Sequence, residues 1–537
     1  MTSRFPVLAA LAVFAPCAGA GEVPDADGLE AGRYVIGEVT LEKADVFDLD
    51  NPDENNWLYR AANRYHIVTR DKIIRKQLLF APGDLYDKRR VEESARILRQ
   101  NKYLYDASIE ATRAADGKVD LTVHTRDIWS LSPELSISRS GGETRSRIGL
   151  EETNLLGRGQ MLRVLRDNDI DREENVVEFA DRRVGTNWWS ILARYSDNSD
   201  GHTYLLTTTR PFYALDARWS AGGSLYSDKR RTSLYQFGDE AAEYGHERDY
   251  ALLFGGWSNG LVGGKARRWT AGVVYDDNRF SDVPTSSLPS VAPGDRKLVY
   301  PFVGFERVED GYVTTENRDQ IGRTEDFQMG LAVRASLGWA DESFGSDRDA
   351  AIFSANAGRG FGSLDKTALL LSAWTSGRVE SGNLANTTLS ASARYYRRQS
   401  EKRTFFAGIS GTAGESLDLD NPVELGGNTG LRGYPLRYQV GESKVLATIE
   451  QRYYTDWYPF RLARVGGAIF ADAGRVYGQN PLGADNRDWL FNVGFGLRLA
   501  MTRIASGRVV HVDLAFPLND DPTIDNVQFI IESRKSF

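Results

Sequence analysis

The sequence predicts an all-β transmembrane barrel of about sixteen antiparallel strands, preceded by one small α+β domain. Three observations carry this reading. The chain opens on an export signal. Helical periodicity is confined to roughly its first quarter. After that, segments of about ten alternating residues recur between clusters of Gly, Asp, Asn and Ser. Composition agrees. The 537 residues include 52 Gly, 24 Tyr, 24 Phe and 11 Trp, but 17 Pro, 4 Met and 5 His. A hydrophobic share of 41% and a charged share of 26% argue against disorder. Mean hydropathy is −0.42, and no run of about eighteen apolar residues occurs, which excludes a bundle of transmembrane helices. It does not exclude a barrel, whose strands average out to polar. The net charge of −8 argues against a general nucleic-acid binder.

Residues 1–20 read as a signal peptide. Arg4 is the only charge before Glu22, an apolar stretch runs from Phe5 to Phe14, and Ala18-Gly19-Ala20 supplies the small-x-small cleavage pattern. A lipoprotein reading on Cys17 is weaker, because Phe14-Ala15-Pro16-Cys17 is a poor lipobox. Cleavage after Ala20 leaves a short N-terminal segment, 21–33, and a mature chain without cysteine. Export without disulfides fits a bacterial envelope protein held together by hydrogen-bonded sheet.

Residues 34–127 read as the small mixed domain. Tyr34 to Lys43 alternates like a strand, and the acidic stretch 45–56 reads as an exposed loop. Thr69 to Leu79 reads as a helix with Thr69 as N-cap, ended by Ala81-Pro82-Gly83. Asp87 caps a second helix with Val91, Ala95 and Leu98 on one face. Tyr105–Arg113 and Lys118–Arg126 read as strands joined at Asp116-Gly117.

Residues 128–537 read as the barrel. From Trp489 to Met501 one face is Trp489, Phe491, Val493, Phe495, Leu497, Leu499 and Met501. The other is Leu490, Asn492, Gly494, Gly496, Arg498 and Ala500. The first face suits hydrocarbon and the second a polar lumen. Val510, Val512, Leu514 and Phe516 alternate in the same way with His511 and Asp513. A soluble sandwich also alternates, but the signal and the aromatic content favour a membrane. A sheet in a bilayer must close, because no water satisfies its edges there. The alternating segments number between sixteen and twenty, with sixteen preferred. The final strand, Val527 to Phe537, puts Val527, Phe529, Ile531 and Phe537 on one face; Phe529, Ile531 and the terminal Phe537 form the C-terminal barrel signal. Trp188, Trp189, Trp219, Trp257, Trp269, Trp457 and Tyr458 suit an interfacial girdle or the barrel wall rather than a ligand box.

Several motifs resemble the outer-membrane assembly and translocation superfamily of BamA, TamA and the two-partner secretion transporters. Residues 34–127, with Pro82-Gly83-Asp84-Leu85-Tyr86, look like one polypeptide-transport-associated (POTRA) domain. Asn154-Leu155-Leu156-Gly157-Arg158-Gly159 resembles the turn near the start of that barrel. Gly426-Gly427-Asn428-Thr429-Gly430-Leu431-Arg432-Gly433-Tyr434 resembles the signature of its inward-folding sixth loop, here near 417–442. Phe470-Ala471-Asp472-Ala473-Gly474 resembles the motif on a strand that follows.

The strand chemistry bears on the same residues. With Val445, Ala447 and Ile449 facing lipid, Glu450 points inward. With Val465, Ile469 and Ala471 facing lipid, Asp472 points inward. Two lumenal carboxylates on sequential strands suit one guanidinium, whose planar fork pairs with a carboxylate through two bonds. The resemblance implies that Arg432 is that partner, with Gly433 allowing a sharp turn and Tyr434 packing against the wall. The alternative is a solvated Arg432 above a wet lumen.

No catalytic constellation emerges, so no enzyme is expected. His246-Glu247-Arg248-Asp249-Tyr250 lacks the second His of a zincin, and serine elbows and phosphate loops are absent. Asp48-Leu49-Asp50 lacks the Gly of a calcium loop. No metal and no cofactor is expected. The resemblance implies an outer-membrane protein of a Gram-negative-type bacterium with its POTRA-like domain in the periplasm. Its partners would be outer-membrane lipid, an unfolded or exported client polypeptide, and periplasmic chaperones or lipoproteins, with no nucleic acid. The client would bind by strand addition and be inserted or translocated. A porin-like or solute-transporting channel is the competing class. BamA-type factors usually carry several POTRA domains and two-partner transporters two, where this chain has room for one.

Overall fold

A computed structural model describes residues 23–283, 287–504, 509–522 and 524–534. The signal peptide at 1–20 and the terminal Phe537 lie outside the described residues.

The N-terminal domain runs α1 (Ala26–Ala31), β1 (Val35–Ala44), α2 (Trp57–Tyr65), α3 (Asp71–Arg75), α4 (Lys88–Arg99), β2 (Leu104–Ala115) and β3 (Lys118–Asp127). The sheet order is β1-β3-β2, with β1 parallel and β2 antiparallel to β3. The central strand therefore supplies Val119, Leu121 and Val123 to the core, against Ile74, Val91 and Leu98 from the helices and Leu29 from α1. Burying one such side chain stabilises the domain by about 1.5–3 kcal/mol. Asp87 accepts from the Arg90 N–H and starts α4. Asp116 and Gly117 both have positive φ, 52° and 72°, as the tight β2–β3 hairpin requires.

Two details differ from the sequence reading. The helix expected from Thr69 shrinks to α3, whose N-cap position is Arg70. Thr69 is instead fully buried and gives its N–H and hydroxyl to Asp127 Oδ2 at 2.7 and 2.9 Å. The stretch 45–56 is not simply exposed: Val46 and Phe47 are buried with Tyr59 of α2, and Phe47 stacks on Tyr59 with ring centroids 4.0 Å apart.

The barrel closes with twenty strands rather than about sixteen. Alternation is visible only where one strand face meets lipid and the other the lumen. Glu143–Glu152 is polar along most of its length, with Ile148 and Leu150 exposed, yet it is paired on both sides. Trp219–Gln236 and Asp239–Val262 are 18 and 24 residues long, well beyond the roughly 9–11 residues that a spanning strand needs. On Leu490–Met501, Phe491, Val493, Phe495 and Leu497 are exposed while Leu490, Asn492, Arg498 and Ala500 are buried. Trp219, Trp257 and Trp269 are exposed and stand opposite one another in register, as an interfacial girdle does. Val465, expected at the lipid, is buried instead; the strand end is folded over there, with the Val465 N–H donating to the Trp457 carbonyl at 3.1 Å.

The N-terminal domain sits against one rim of the barrel. Asn154 Nδ2 donates to Thr69 Oγ1 at 2.8 Å, the Arg70 N–H donates to the Gly157 carbonyl at 3.0 Å, and Arg89 pairs with Asp216. Between the first strand, Leu131–Ser140, and the last, Gln528–Arg534, the described residues show one registered pair, Ile531 opposite Arg139. The last two strands, by contrast, run in register from Val509–Arg534 to Ala515–Gln528.

Candidate functional site in the barrel lumen

The segment between Arg403–Glu415 and Ser443–Tyr454 folds into the lumen from the rim opposite the N-terminal domain. It follows fifteen of the twenty strands, so it is the eighth loop of that rim rather than the sixth. Its short strands Val423–Leu425 and Gln439–Gly441 pair with each other. Leu425, Leu431, Tyr434 and Tyr438 pack with Val476, Leu490 and Ile524 of the wall region. Burial of these side chains gives the loop an apolar footing before any charge is considered.

Arg432 lies at the centre and is almost fully buried. Its Nε and Nη2 donate to Asp472 Oδ2 and Oδ1 at 2.8 and 2.7 Å, and Nη1 donates to Glu450 Oε1 at 2.8 Å. Phe470 lies beneath the guanidinium, 3.4 Å from its carbon to the ring centroid, a cation–π contact in a desolvated site. Burial works against the arginine charge; Asp472 and Glu450 outweigh it and hold Arg432 above its ordinary value. Asp472 also accepts from Thr448 Oγ1 at 2.9 Å and Asn492 Nδ2 at 2.8 Å. The acidic pair is therefore satisfied on several sides, which a buried ion pair requires.

The glycines act by close approach. Gly433 has no left-handed φ, so the sharp turn expected there is not its reason: a Cβ on it would stand 2.7 Å from Asn492 Cβ. A Cβ on Gly426 would stand 2.3 Å from the Pro435 carbonyl oxygen, one on Gly427 2.7 Å from Gly141 N, and one on Gly474 2.9 Å from Leu425 Cδ2. The Tyr434 hydroxyl donates to the Phe491 carbonyl at 2.8 Å. Phe529 and Ile531 lie on the last strand, with Phe529 exposed.

Residues not connected to the site by sequence reasoning complete it. Glu450 Oε2 accepts from Arg452 Nε at 2.9 Å. Arg498 pairs with Asp513, and both are fully buried. Inward parity on neighbouring strands was the available signal, but alternation does not reveal which inward charges share a level. Arg437 adds a second anchor, donating twice to Asp171 at 2.7 Å. A polar cavity of about 360 Å³, lined by Arg145, Asp171, Asn428, Arg437 and Glu532 among others, lies between this loop and the seam strands.

The opposite end of the lumen is also occupied. Tyr312–Glu316 and Thr324–Gln328 form a hairpin outside the barrel sheet. Its tip enters from the domain side: the Arg318 carbonyl accepts from Arg452 Nη1 at 2.8 Å, and Ile321 packs against Tyr454, Ala468, Ala500 and Val509. Its second strand touches the N-terminal domain, where Arg99 Nε donates to Asp326 Oδ2 at 2.8 Å and Thr324 Oγ1 to Asp106 Oδ2 at 2.7 Å. A chain of polar contacts thus runs from α4 through this hairpin, Arg452 and Glu450 to Arg432. Among the described residues, no group of three or more His, Cys, Asp or Glu side chains is arranged to hold a metal ion.

A family model described as "POTRA: Surface antigen variable number repeat" matches residues 66–126. The chain is similar to solved structures of BamA from Haemophilus ducreyi lacking POTRA domains 1-3 (13% identity, 92% of this chain and 84% of that chain, TM-score 0.38). It is also similar to CdiB from Acinetobacter baumannii (13%, 93% and 74%, TM-score 0.42) and CdiB from Escherichia coli (13%, 94% and 77%, TM-score 0.43). No curated protein matches the sequence. The POTRA match and the closed barrel with its apolar exterior define the class: a POTRA-bearing outer-membrane β-barrel, with the POTRA domain in the periplasm.

Proposed function

We propose that this protein delivers unfolded polypeptides to the outer membrane, in the manner of the BamA, TamA and two-partner secretion superfamily. The POTRA domain receives the client along the outer edge of β2, which no strand covers in the sheet order β1-β3-β2. Main-chain hydrogen bonds at such an edge give sequence-tolerant affinity. Arg432 and its carboxylates hold the eighth loop in the lumen, and accessory chaperones or lipoproteins supply the client.

Insertion through the wall is favoured over passage through the lumen. The observation that carries this preference is the seam, where the described ends of the barrel share the one pair Ile531–Arg139. Among the described residues, opening it separates that one registered pair, whereas passage through the lumen requires both the loop and the periplasmic hairpin to leave. The test is a disulfide across the seam, Arg139→Cys with Ile531→Cys, in the mature chain that has no cysteine of its own. In proteoliposomes the oxidised form should lose insertion of an unfolded barrel client and recover it on reduction. Equal activity in both redox states would refute seam release. A steady solute conductance without client insertion would favour the channel alternative.

A further inference from the structure

We propose that α2 of the POTRA domain is an interfacial membrane helix, seated on the periplasmic leaflet on the side of the barrel that carries the seam. The inference rests on the barrel lying in the outer membrane and on nothing about client handling.

Nine residues, Trp57–Tyr65, form α2, with Asn56 as N-cap accepting from the Tyr59 N–H. Helical spacing places Tyr59, Ala62 and Asn63 on one face. That face is satisfied: Tyr59 and Ala62 pack with Val46 and Phe47, and Asn63 Nδ2 donates to the Phe47 carbonyl at 2.7 Å. The opposite face carries Trp57, Leu58, Ala61 and Tyr65. Trp57 is 74% exposed, Leu58 54% and Tyr65 75%. A helix apolar on both faces, with one face already buried, has a second partner to account for.

Position indicates which partner. The Tyr59 hydroxyl donates to the Phe460 carbonyl, and Arg461 pairs with Asp53. These contacts hold α2 against the turn that joins Ser443–Tyr454 to Ala463–Tyr477. Phe460 of that turn is 80% exposed and Trp457 64%, and both lie at the periplasmic end of the membrane-facing wall. On the other side, Ile67 is exposed beside the turn of Leu156 and Gly157, whose carbonyls accept from Arg70 Nε and the Arg70 N–H, each at 3.0 Å. α2 is therefore held at the periplasmic rim of the barrel, beside the exposed apolar side chains of both turns and with its own apolar face uncovered. The flanking charges suit the same partner: Arg60 and Arg64 border the apolar face, and α2 contains no acidic residue. Trp, Tyr and Leu on one face with Arg alongside is the composition of helices that lie at anionic headgroups.

Single cysteines at Leu58→Cys and Tyr65→Cys, labelled with an environment-sensitive fluorophore, test this in the full mature chain. Lys118→Cys, at the far end of β3, is the reference. The protein is reconstituted in vesicles of phosphatidylethanolamine and phosphatidylglycerol containing brominated lipid. Quenching by the bromines should be several-fold stronger at positions 58 and 65 than at 118. Arg60→Glu with Arg64→Glu should reduce it. Quenching at 58 and 65 no greater than at 118, with free access for aqueous iodide, would overturn the proposal. So would protection from iodide that appears only on adding unfolded client or a soluble partner, which would make the face a protein-docking surface. None of these readouts depends on insertion activity, so failure here and failure of the proposed function are separable.

Discussion

Arg432 grips Asp472 through two parallel hydrogen bonds of 2.8 and 2.7 Å across 40 positions of sequence, from a loop to a barrel strand. The bidentate geometry fixes both the depth and the orientation of the loop tip in the lumen.

Arg432→Ala leaves Asp472 buried without its cation and Glu450 with Arg452 alone. Breaking such a pair by removing one partner costs about 3–5 kcal/mol, which weakens the loop's hold on the wall. In planar bilayers the variant should conduct more, or more steadily, than wild type. Arg432→Lys, which keeps the charge but loses the fork, should fall between them. Identical conductance in all three would show that Arg432 does not hold the loop in the lumen.

Hairpin and loop meet through Arg452 and Glu450, so their stabilities should be coupled. Asp319 lies 3.6 Å from Arg452 and accepts from the Tyr396 hydroxyl at 2.9 Å. In a double-mutant cycle of Asp319→Ala and Arg432→Ala, read by chemical unfolding, the effects should depart from additivity by about 0.5 kcal/mol or more. Strict additivity would mean that the two plugs act independently.

The hairpin should also respond to pH. Glu325 accepts the backbone N–H groups of Arg318, Asp319 and Gln320 at 2.8, 2.8 and 3.1 Å. Burial, with Asp319 adding to it, pushes its carboxyl from 4.5 up to about 7, against those three hydrogen bonds; the Arg318 guanidinium and the Tyr454 hydroxyl also face it. The folded state thus binds the proton more tightly than the unfolded one. That contribution is complete below 4.5 and is lost as pH rises through about 7. A thiol introduced at Ile321 should react more slowly with an aqueous reagent near pH 5 than near pH 8, after correction for thiolate fraction. Glu325→Gln should flatten the difference; an unchanged pH dependence in that variant would assign it to another group.

Gly433→Ala tests close approach rather than turn geometry. The added Cβ would meet Asn492 Cβ at 2.7 Å, and overpacking of this kind costs typically about 1–3 kcal/mol. The heat-modifiable gel shift of the folded barrel should occur at a lower temperature. Pairing it with Asn492→Gly should restore part of the loss, and no restoration would place the strain elsewhere.

The periodicity of the chain was sufficient for the division between a small α+β domain and an exported barrel, because lipid on one side and lumen on the other impose alternation residue by residue. It also pointed Glu450 and Asp472 inward; the loop that carries Arg432 was legible only through the resemblance of its glycine-rich signature. Thr69 was misread as a helix cap because Asp127, its partner, lies 58 residues away. Strand number stayed out of reach because largely polar strands such as Glu143–Glu152 carry only a short lipid-facing signal, here Ile148 and Leu150, and pairing with both neighbours is what makes their whole length a strand. The second plug and the links through Arg452, Phe470 and Asn492 are equally invisible in one dimension. Alternation records which face a side chain takes, while the level at which charges from different strands meet depends on register and shear, and only the closed tertiary structure sets those.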